Sequence, residues 1–290
     1  MSFEFLENFD FSSGTKIAAV IGDPVSHSLS PHLHNYLLKK HKIDGVYIPL
    51  RATPEDFPKV LSNLQQMGFS GCNITIPHKE TALQLCDHVS ESAQKIGAVN
   101  TISFAQDGKI HGDNSDHFGF IQNIKNTYPH FDFAGKKVLI LGAGGAARAI
   151  IFGLLQQNVA QICVANRNFN RAQNLSTDFT KVEAINWQDK AKNLPDYDII
   201  INSTSLGMVG KDELQIDLKN LKKAALVCDI VYQPLMTDFL QQAQANGAAI
   251  VSGIGMLIHQ GLVGFEKWFG TWPEIDEKLT AELIELSHKN

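Results

Sequence analysis

The chain has 290 residues, 44% of them hydrophobic and 19% charged, with a formal net charge of −5. That length predicts two domains, and the composition is that of a soluble globular protein. The acidic balance gives no support to nucleic-acid binding or to an anionic membrane surface. Four cysteines (Cys72, Cys86, Cys163 and Cys228) are scattered without a C-x-x-C pair. This speaks against a disulfide framework or zinc site and for a reduced, cytoplasmic setting. The opening MSFEFLENFD lacks a basic and then apolar leader, so no signal peptide is expected. The longest apolar stretch, Lys137–Ile151, is interrupted by glycines and Arg148 and is not a membrane span.

In chain order, residues 1–15 read as an extension before a first strand, Lys16–Ile21. A polar loop follows, Gly22 to Pro31, in which Ser30 then Pro31 predicts a hydroxyl N-cap and a proline at the first helical position. Capping accounts for Ser30 but not Ser28; two hydroxyls beside a helix N-terminus suit a carboxylate ligand. His27, His32 and His34 invite a metal reading, but His32 and His34 stand two apart on a helix and cannot face one ion. No metal is expected.

Val46–Leu50, Pro54–Met67 and Cys72–Ile76 read as strand, helix and strand, an α/β alternation. Pro77 is expected to open the next helix, which puts Lys79 in a first turn where the macrodipole opposes a cation. A residue that breaks the local rule is a candidate functional residue; the plain alternative is a lysine reaching to water. Gly97–Ile102 begins a hairpin turning at Asp107-Gly108 and ending in Gly112-Asp113-Asn114-Ser115-Asp116. Asp116 then caps, or stands within, a helix over 116–127.

Pro129–Gly135 reads as a connection, and KVLILGAGGAARAII follows. Four apolar residues, Val138–Leu141, form a buried strand; Gly142 permits a tight turn, Gly144 lets backbone approach a pyrophosphate, and Ala147 allows close helix–strand packing. The helix N-terminus offers N–H groups and a positive dipole end to phosphate. The next strand, Gln161–Ala165, runs into Asn166-Arg167-Asn168-Phe169-Asn170-Arg171, with two arginines and no acid. An NAD site wants a carboxylate there for the ribose 2′-OH, whereas guanidinium groups pair with a 2′-phosphate, so NADP is favoured. Asp198–Ile201 leads to the polar loop Asn202–Met208, on the ligand side of a parallel sheet. Ala225–Ile230 and Ala248–Val251 are two more strands, and Gly253–Gln260 opens a helix too apolar to be fully exposed.

Taken together these motifs resemble the shikimate dehydrogenase family from about residue 16 to 270. S-x-S-P stands as Ser28–Pro31, N-V-T-x-P-x-K-E as Asn73–Glu80 with Ile74 for valine, and G-A-V-N-T as Gly97–Thr101. G-D-N-T-D is Gly112–Asp116 with Ser115 for threonine, and G-A-G-G-A is Gly142–Ala146. N-R-x-x-x-R is Asn166–Arg171, N-x-T-x-x-G-M is Asn202–Met208, and G-x-G-M-L-x-x-Q is Gly253–Gln260. His117 stands where the family commonly has glycine.

The resemblance implies reversible NADP-dependent reduction of 3-dehydroshikimate to shikimate, towards aromatic amino acids. It implies an α/β fold of two domains with a central cleft: residues 1–116 plus 253–290 bind substrate, and 117–252 form a Rossmann-like doubly wound NADP domain. Ser28 and Ser30 would hold the substrate carboxylate, and Thr75, Asn100, Asp116 and Gln260 its ring hydroxyls. Lys79 would be the general acid/base with Asp116 as partner, and Tyr232 would lie near substrate. Gly142, Ala143, Gly144, Gly145 and Ala146 would meet the cofactor, as would Asn166, Arg167, Asn168, Phe169, Asn170 and Arg171. Thr204 and, more loosely, Glu91 would also be on the cofactor side, with Ile230 and Gly253 bordering the nicotinamide. The family is monomeric or homodimeric.

Three rivals differ in what they require. A quinate/shikimate dehydrogenase using NAD or both cofactors would want an acid after Ala165. A methyltransferase would want the same acid and would leave Lys79 and Asp116 without a role. A catalytically silent NADP-binding regulator would have no need of that pair.

Overall fold

A computed structural model describes residues 12–289; most of the expected N-terminal extension lies outside them. The first half of the chain is built from β1 (Lys16–Gly22), α1 (Ser30–Lys40), β2 (Gly45–Arg51), α2 (Phe57–Gln66), β3 (Gly71–Ile74) and α3 (Lys79–Leu85). It continues through β4 (His88–Val89), α4 (Glu91–Ile96), β5 (Thr101–Phe104), β6 (Ile110–Asp113) and α5 (Asp116–Thr127). The strands make a mixed sheet in the order β2-β1-β3-β5-β6-β4. β1 pairs in parallel with β2 and β3, while the β5–β6 hairpin is antiparallel. In β1 alternate residues enter opposite cores, Ala18 and Val20 on one face and Ala19 and Ile21 on the other, as the two-residue period of a strand requires.

The second half runs through β7 (Lys137–Leu141), α6 (Gly145–Gln156), β8 (Gln161–Asn166), α7 (Phe169–Asp178), β9 (Val182–Asn186) and β10 (Ile199–Asn202). It ends with β11 (Leu226–Asp229), α8 (Asp238–Ala245), β12 (Ala249–Val251), α9 (Ile254–Phe269) and α10 (Glu277–Lys289). Its sheet is parallel throughout, in the order β12-β11-β10-β7-β8-β9. This is the doubly wound order, and the direction of winding reverses between β7 and β10, where such sheets bind ligands. Val138 and Ile140 face the core under α5 and α6, and Leu139 and Leu141 the opposite core.

α9 is the apolar helix expected after Gly253, and its length is spent on both sheets. Leu257, Leu262, Phe265 and Trp268 join the core of the first sheet, and Met256 that of the second. It crosses α5 closely: a Cβ on Gly119 would lie 2.7 Å from the Met256 carbonyl, and one on Gly255 would lie 2.0 Å from Asn123 Oδ1. Among the described residues no helix is long and apolar enough to cross a membrane.

Two expected helix starts are corrected. α1 begins at Ser30 itself, with Leu29 in the capping position and no side-chain cap bond. The Ser28 hydroxyl instead accepts from the Ser30 amide at 3.3 Å. Pro77 lies in the turn before α3, which begins at Lys79 with His78 in the capping position.

Candidate active site

Lys79 is the first residue of α3, and its Nζ donates to Asp116 Oδ2 at 2.5 Å. Asp116 opens α5, and its side chain is only 3% exposed. Its other oxygen accepts from Asn100 Nδ2 at 2.8 Å, and the same amide donates to Gln260 Oε1 of α9 at 2.9 Å. Asn100 is held in turn from its other side. Its Oδ1 accepts from the Ser115 amide at 2.8 Å and the Thr101 hydroxyl at 2.9 Å. The Asp116 amide donates to Asn114 Oδ1 at 3.0 Å. Four residues expected from separate motifs (Lys79, Asn100, Asp116 and Gln260) therefore form one hydrogen-bonded set. An ammonium held by a buried carboxylate, beside side-chain amides, can bind hydroxyls and move a proton.

The serine loop follows β1, and Thr75 follows β3. Thr75 packs on Gly22, where an added Cβ would lie 2.4 Å from Thr75 Cγ2. Ser28 is half-buried and Ser30 buried at the start of α1. Tyr232, from the loop after β11, packs into the core that holds Leu29. Burial raises its phenol above the ordinary value, opposed by the Leu29 backbone amide beside it. His32 is taken up by Glu282 at 2.9 Å, and His34 is stacked on Tyr47 with ring centroids 4.0 Å apart. Burial pushes His34 down to about 3.

On the other side, Gly142 has φ +113°, a conformation that glycine alone adopts readily. A Cβ there would strike Ser203 Oγ at 2.6 Å, which puts the turn directly against the loop after β10. A Cβ on Gly144 would meet nothing within 4 Å. The backbone is bare at that point, at the head of α6, as a pyrophosphate cradle requires. A Cβ on Gly145 would lie 3.7 Å from Lys79 Cδ, so the glycine turn abuts the lysine. Ala143 and Arg171 share the lining of a hollow of about 300 Å³ with Glu80, Gly97 and Arg148. Arg167, Asn168, Phe169 and Asn170 are exposed beside it, and Asn166 Nδ2 is tied to the Asn168 carbonyl at 2.8 Å. With an open glycine turn and two unshielded guanidinium groups, the residues present fit a dinucleotide carrying a 2′-phosphate.

Thr204 is committed to its own loop: its hydroxyl donates to Asn202 Oδ1 at 2.7 Å and accepts from Leu206 at 3.0 Å. Ile230 and Gly253 touch, since a Cβ on Gly253 would lie 2.2 Å from the Ile230 carbonyl. Glu91 is exposed at the start of α4 and ion-paired with Lys95 at 2.6 Å. Sequence reasoning missed Asp229, the buried end of β11. It accepts from Asn202 at 3.0 Å, Val231 at 2.9 Å and Thr237 at 2.7 Å, and burial pushes it up to about 6. A lone carboxylate closing an apolar strand on the ligand side was the available signal.

Comparison with known proteins gives the family. Residues 20–102 match the shikimate dehydrogenase substrate binding domain, and residues 124–234 match shikimate / quinate 5-dehydrogenase. The shikimate dehydrogenase (NADP(+)) of Dinoroseobacter shibae is 44% identical over 269 residues, 92% of this chain and 97% of that protein. The crystal structure of shikimate 5-dehydrogenase from Thermus thermophilus, in complex with NADP(H) and shikimate, superposes with a TM-score of 0.84 at 32% identity, covering 94% of this chain and all of that one. Quinate dehydrogenase from Corynebacterium glutamicum in complex with NAD gives 0.84 at 28% identity, over 94% and 98%. The chain belongs to the shikimate dehydrogenase family.

Proposed function

We propose that this protein is an NADP-dependent shikimate dehydrogenase, reversibly reducing 3-dehydroshikimate to shikimate. The observation that carries the reading is the Lys79–Asp116–Asn100–Gln260 set lying directly against Gly145 of the glycine turn. When bound, NADPH would supply the hydride to the ketone carbon. As charge develops on the ketone oxygen, Lys79 gives it a proton, and in the reverse direction the amine takes the proton of the alcohol. Asp116 holds the ammonium in place, and with Asn100, Thr75 and Gln260 it orients the ring hydroxyls. Ser28 and Ser30 hold the carboxylate beside the head of α1, with Tyr232 closing that side. Gly142–Ala146 carry the pyrophosphate, Asn166–Arg171 the adenosine 2′-phosphate, and Thr204, Ile230 and Gly253 border the nicotinamide.

In this reading residues 1–116 with 253–290 form the substrate domain and 117–252 the cofactor domain. The parallel sheet spanning Lys137–Val251 and the return of α9 onto the first sheet support that division. The enzyme works as a monomer or homodimer in the cytosol, a setting supported by its four free cysteines. Assays of NADPH oxidation with 3-dehydroshikimate, run beside 3-dehydroquinate and NADH, test this. The 3-dehydroshikimate/NADPH pair is expected to be fastest. No turnover, or preference for 3-dehydroquinate with NADH, overturns it.

A further inference from the structure

Arg148 stands in the opening turn of α6, where a cation is opposed by the helix dipole. Its guanidinium is drawn instead to the carboxyl ends of two other helices. Nε donates to the carbonyl of Ile96, the last residue of α4. Nη1 pairs at 2.7 Å with Asp178, the last residue of α7. Both are places where the dipole favours positive charge. The group also lies 5.3 Å from the centre of the Phe179 ring. Gly97, with φ +75°, makes room for it: a Cβ there would stand 3.0 Å from Nη2. The side chain is 19% exposed and is thus fixed from several directions.

The clasp lies at the start of a short path into the reaction centre. After Ile96 and Gly97, Ala98 comes within 3.9 Å of a Cβ on Gly145, and its carbonyl accepts from Asn114 at 2.9 Å. The Val99 amide donates to the Lys79 carbonyl at 2.9 Å. Asn100, next in the chain, donates to Asp116 and Gln260. We infer that Arg148 is a positioning residue. By tying Ile96 to the helix that carries the glycine turn, it sets the register between that turn and the Lys79–Asn100–Asp116 set. It touches none of the reacting atoms in this reading, which rests on the function proposed above. Errors of about 1 Å in such a register cost about 100-fold in rate.

The test uses Arg148→Ala, Arg148→Lys and Asp178→Asn in the full chain. Turnover of shikimate with NADP+ is expected to fall about 10–100-fold in Arg148→Ala. The dissociation constant for shikimate should change by no more than about 3-fold, because the residues that hold it are untouched. Lysine keeps the charge but lacks the planar fork by which separate nitrogens reach Ile96 and Asp178, so Arg148→Lys should fall between. Asp178→Asn keeps the Ile96 bond and should lose least, which guards against an alanine variant that folds poorly. The deuterium isotope effect on turnover, with shikimate labelled at the carbon that gives up hydride, should rise as the transfer step slows. Amide hydrogen exchange at residues 96–100 should quicken in the same order, and this readout does not depend on activity. Wild-type exchange at 96–100, or wild-type turnover and isotope effect in Arg148→Ala, overturns the inference. A wild-type protein inactive on shikimate would instead remove the proposed function, and exchange alone would then decide the clasp.

Discussion

Lys79 and Asp116 are 37 positions apart in the chain, yet the ammonium of one donates to the carboxylate of the other at 2.5 Å. α3 and α5 begin at these two residues, so the pair joins two helix heads. Asp116 is buried, and its remaining oxygen is taken by Asn100. The pair is therefore held rigidly while Lys79 stays partly open to the cleft, the disposition a proton donor needs.

Lys79→Ala should lower turnover by about 10²–10⁴-fold, the range for loss of a general acid/base. Binding of shikimate and NADP+ should survive. The change also leaves Asp116 with one partner fewer, at a stability cost of about 1–3 kcal/mol, so turnover must be expressed per folded molecule. Near-normal turnover in the folded variant would reduce Lys79 to a binding residue.

Arg171→Ala should raise the Michaelis constant for NADP+ several-fold and leave the weaker NAD+ reaction little changed, because NAD+ has no 2′-phosphate to lose. Arg167→Ala should behave alike but more mildly, since it is Arg171 that lines the hollow with Ala143. Equal losses with both cofactors would make the arginines structural.

The serine pair should divide by stability rather than by affinity. Both Ser28→Ala and Ser30→Ala are expected to weaken shikimate binding. Ser28→Ala also deprives the Ser30 amide of its acceptor and should lower stability by about 0.5–1.5 kcal/mol. Ser30→Ala removes no cap and should leave the melting temperature closer to wild type. Unchanged shikimate affinity in both would sink the carboxylate site.

Asp229 should give stability a pH dependence of uncommon sign. Burial raises its folded value to about 6, above its ordinary 3.8. The folded state therefore binds the proton more tightly than the unfolded state does. The resulting stabilisation is fully present below about pH 4 and is lost as pH rises through about 6. A shift of that size corresponds to about 3 kcal/mol. Asp229→Asn should flatten this component, so its deficit relative to wild type should shrink between pH 4 and pH 7. Denaturant melts across that range would show it; a deficit that grows with pH contradicts the raised value.

The expected strands and helices were legible where short-range rules govern. Ala18–Ile21 alternate between two cores, and Gly142 sits at the positive φ that its turn demands. Such features depend on neighbours two to four residues away, which the sequence displays directly. The corrections concern competition at close range. Ser30 and Pro77 carry ordinary helix-start signals, but Leu29 and His78 stand in the capping positions.

What the sequence by itself determined is therefore the strands and helices that carry the motifs, the glycine turn, the basic loop without an acid, and the family to which they belong, whereas β4, α4, β9, α8 and α10 emerged only in the structure. Tertiary structure alone decided that Lys79, Asn100, Asp116 and Gln260 share one set of hydrogen bonds and that Glu91 pairs with Lys95. It alone decided that Asp229 is buried among donors and that Arg148 spans three helices. The reason is physical. A side chain's type states which bonds it is able to make, but its partner is chosen by which helix ends the two sheets bring together. That choice follows from burying both faces of each sheet and from α9 crossing α5 at glycine-width separation.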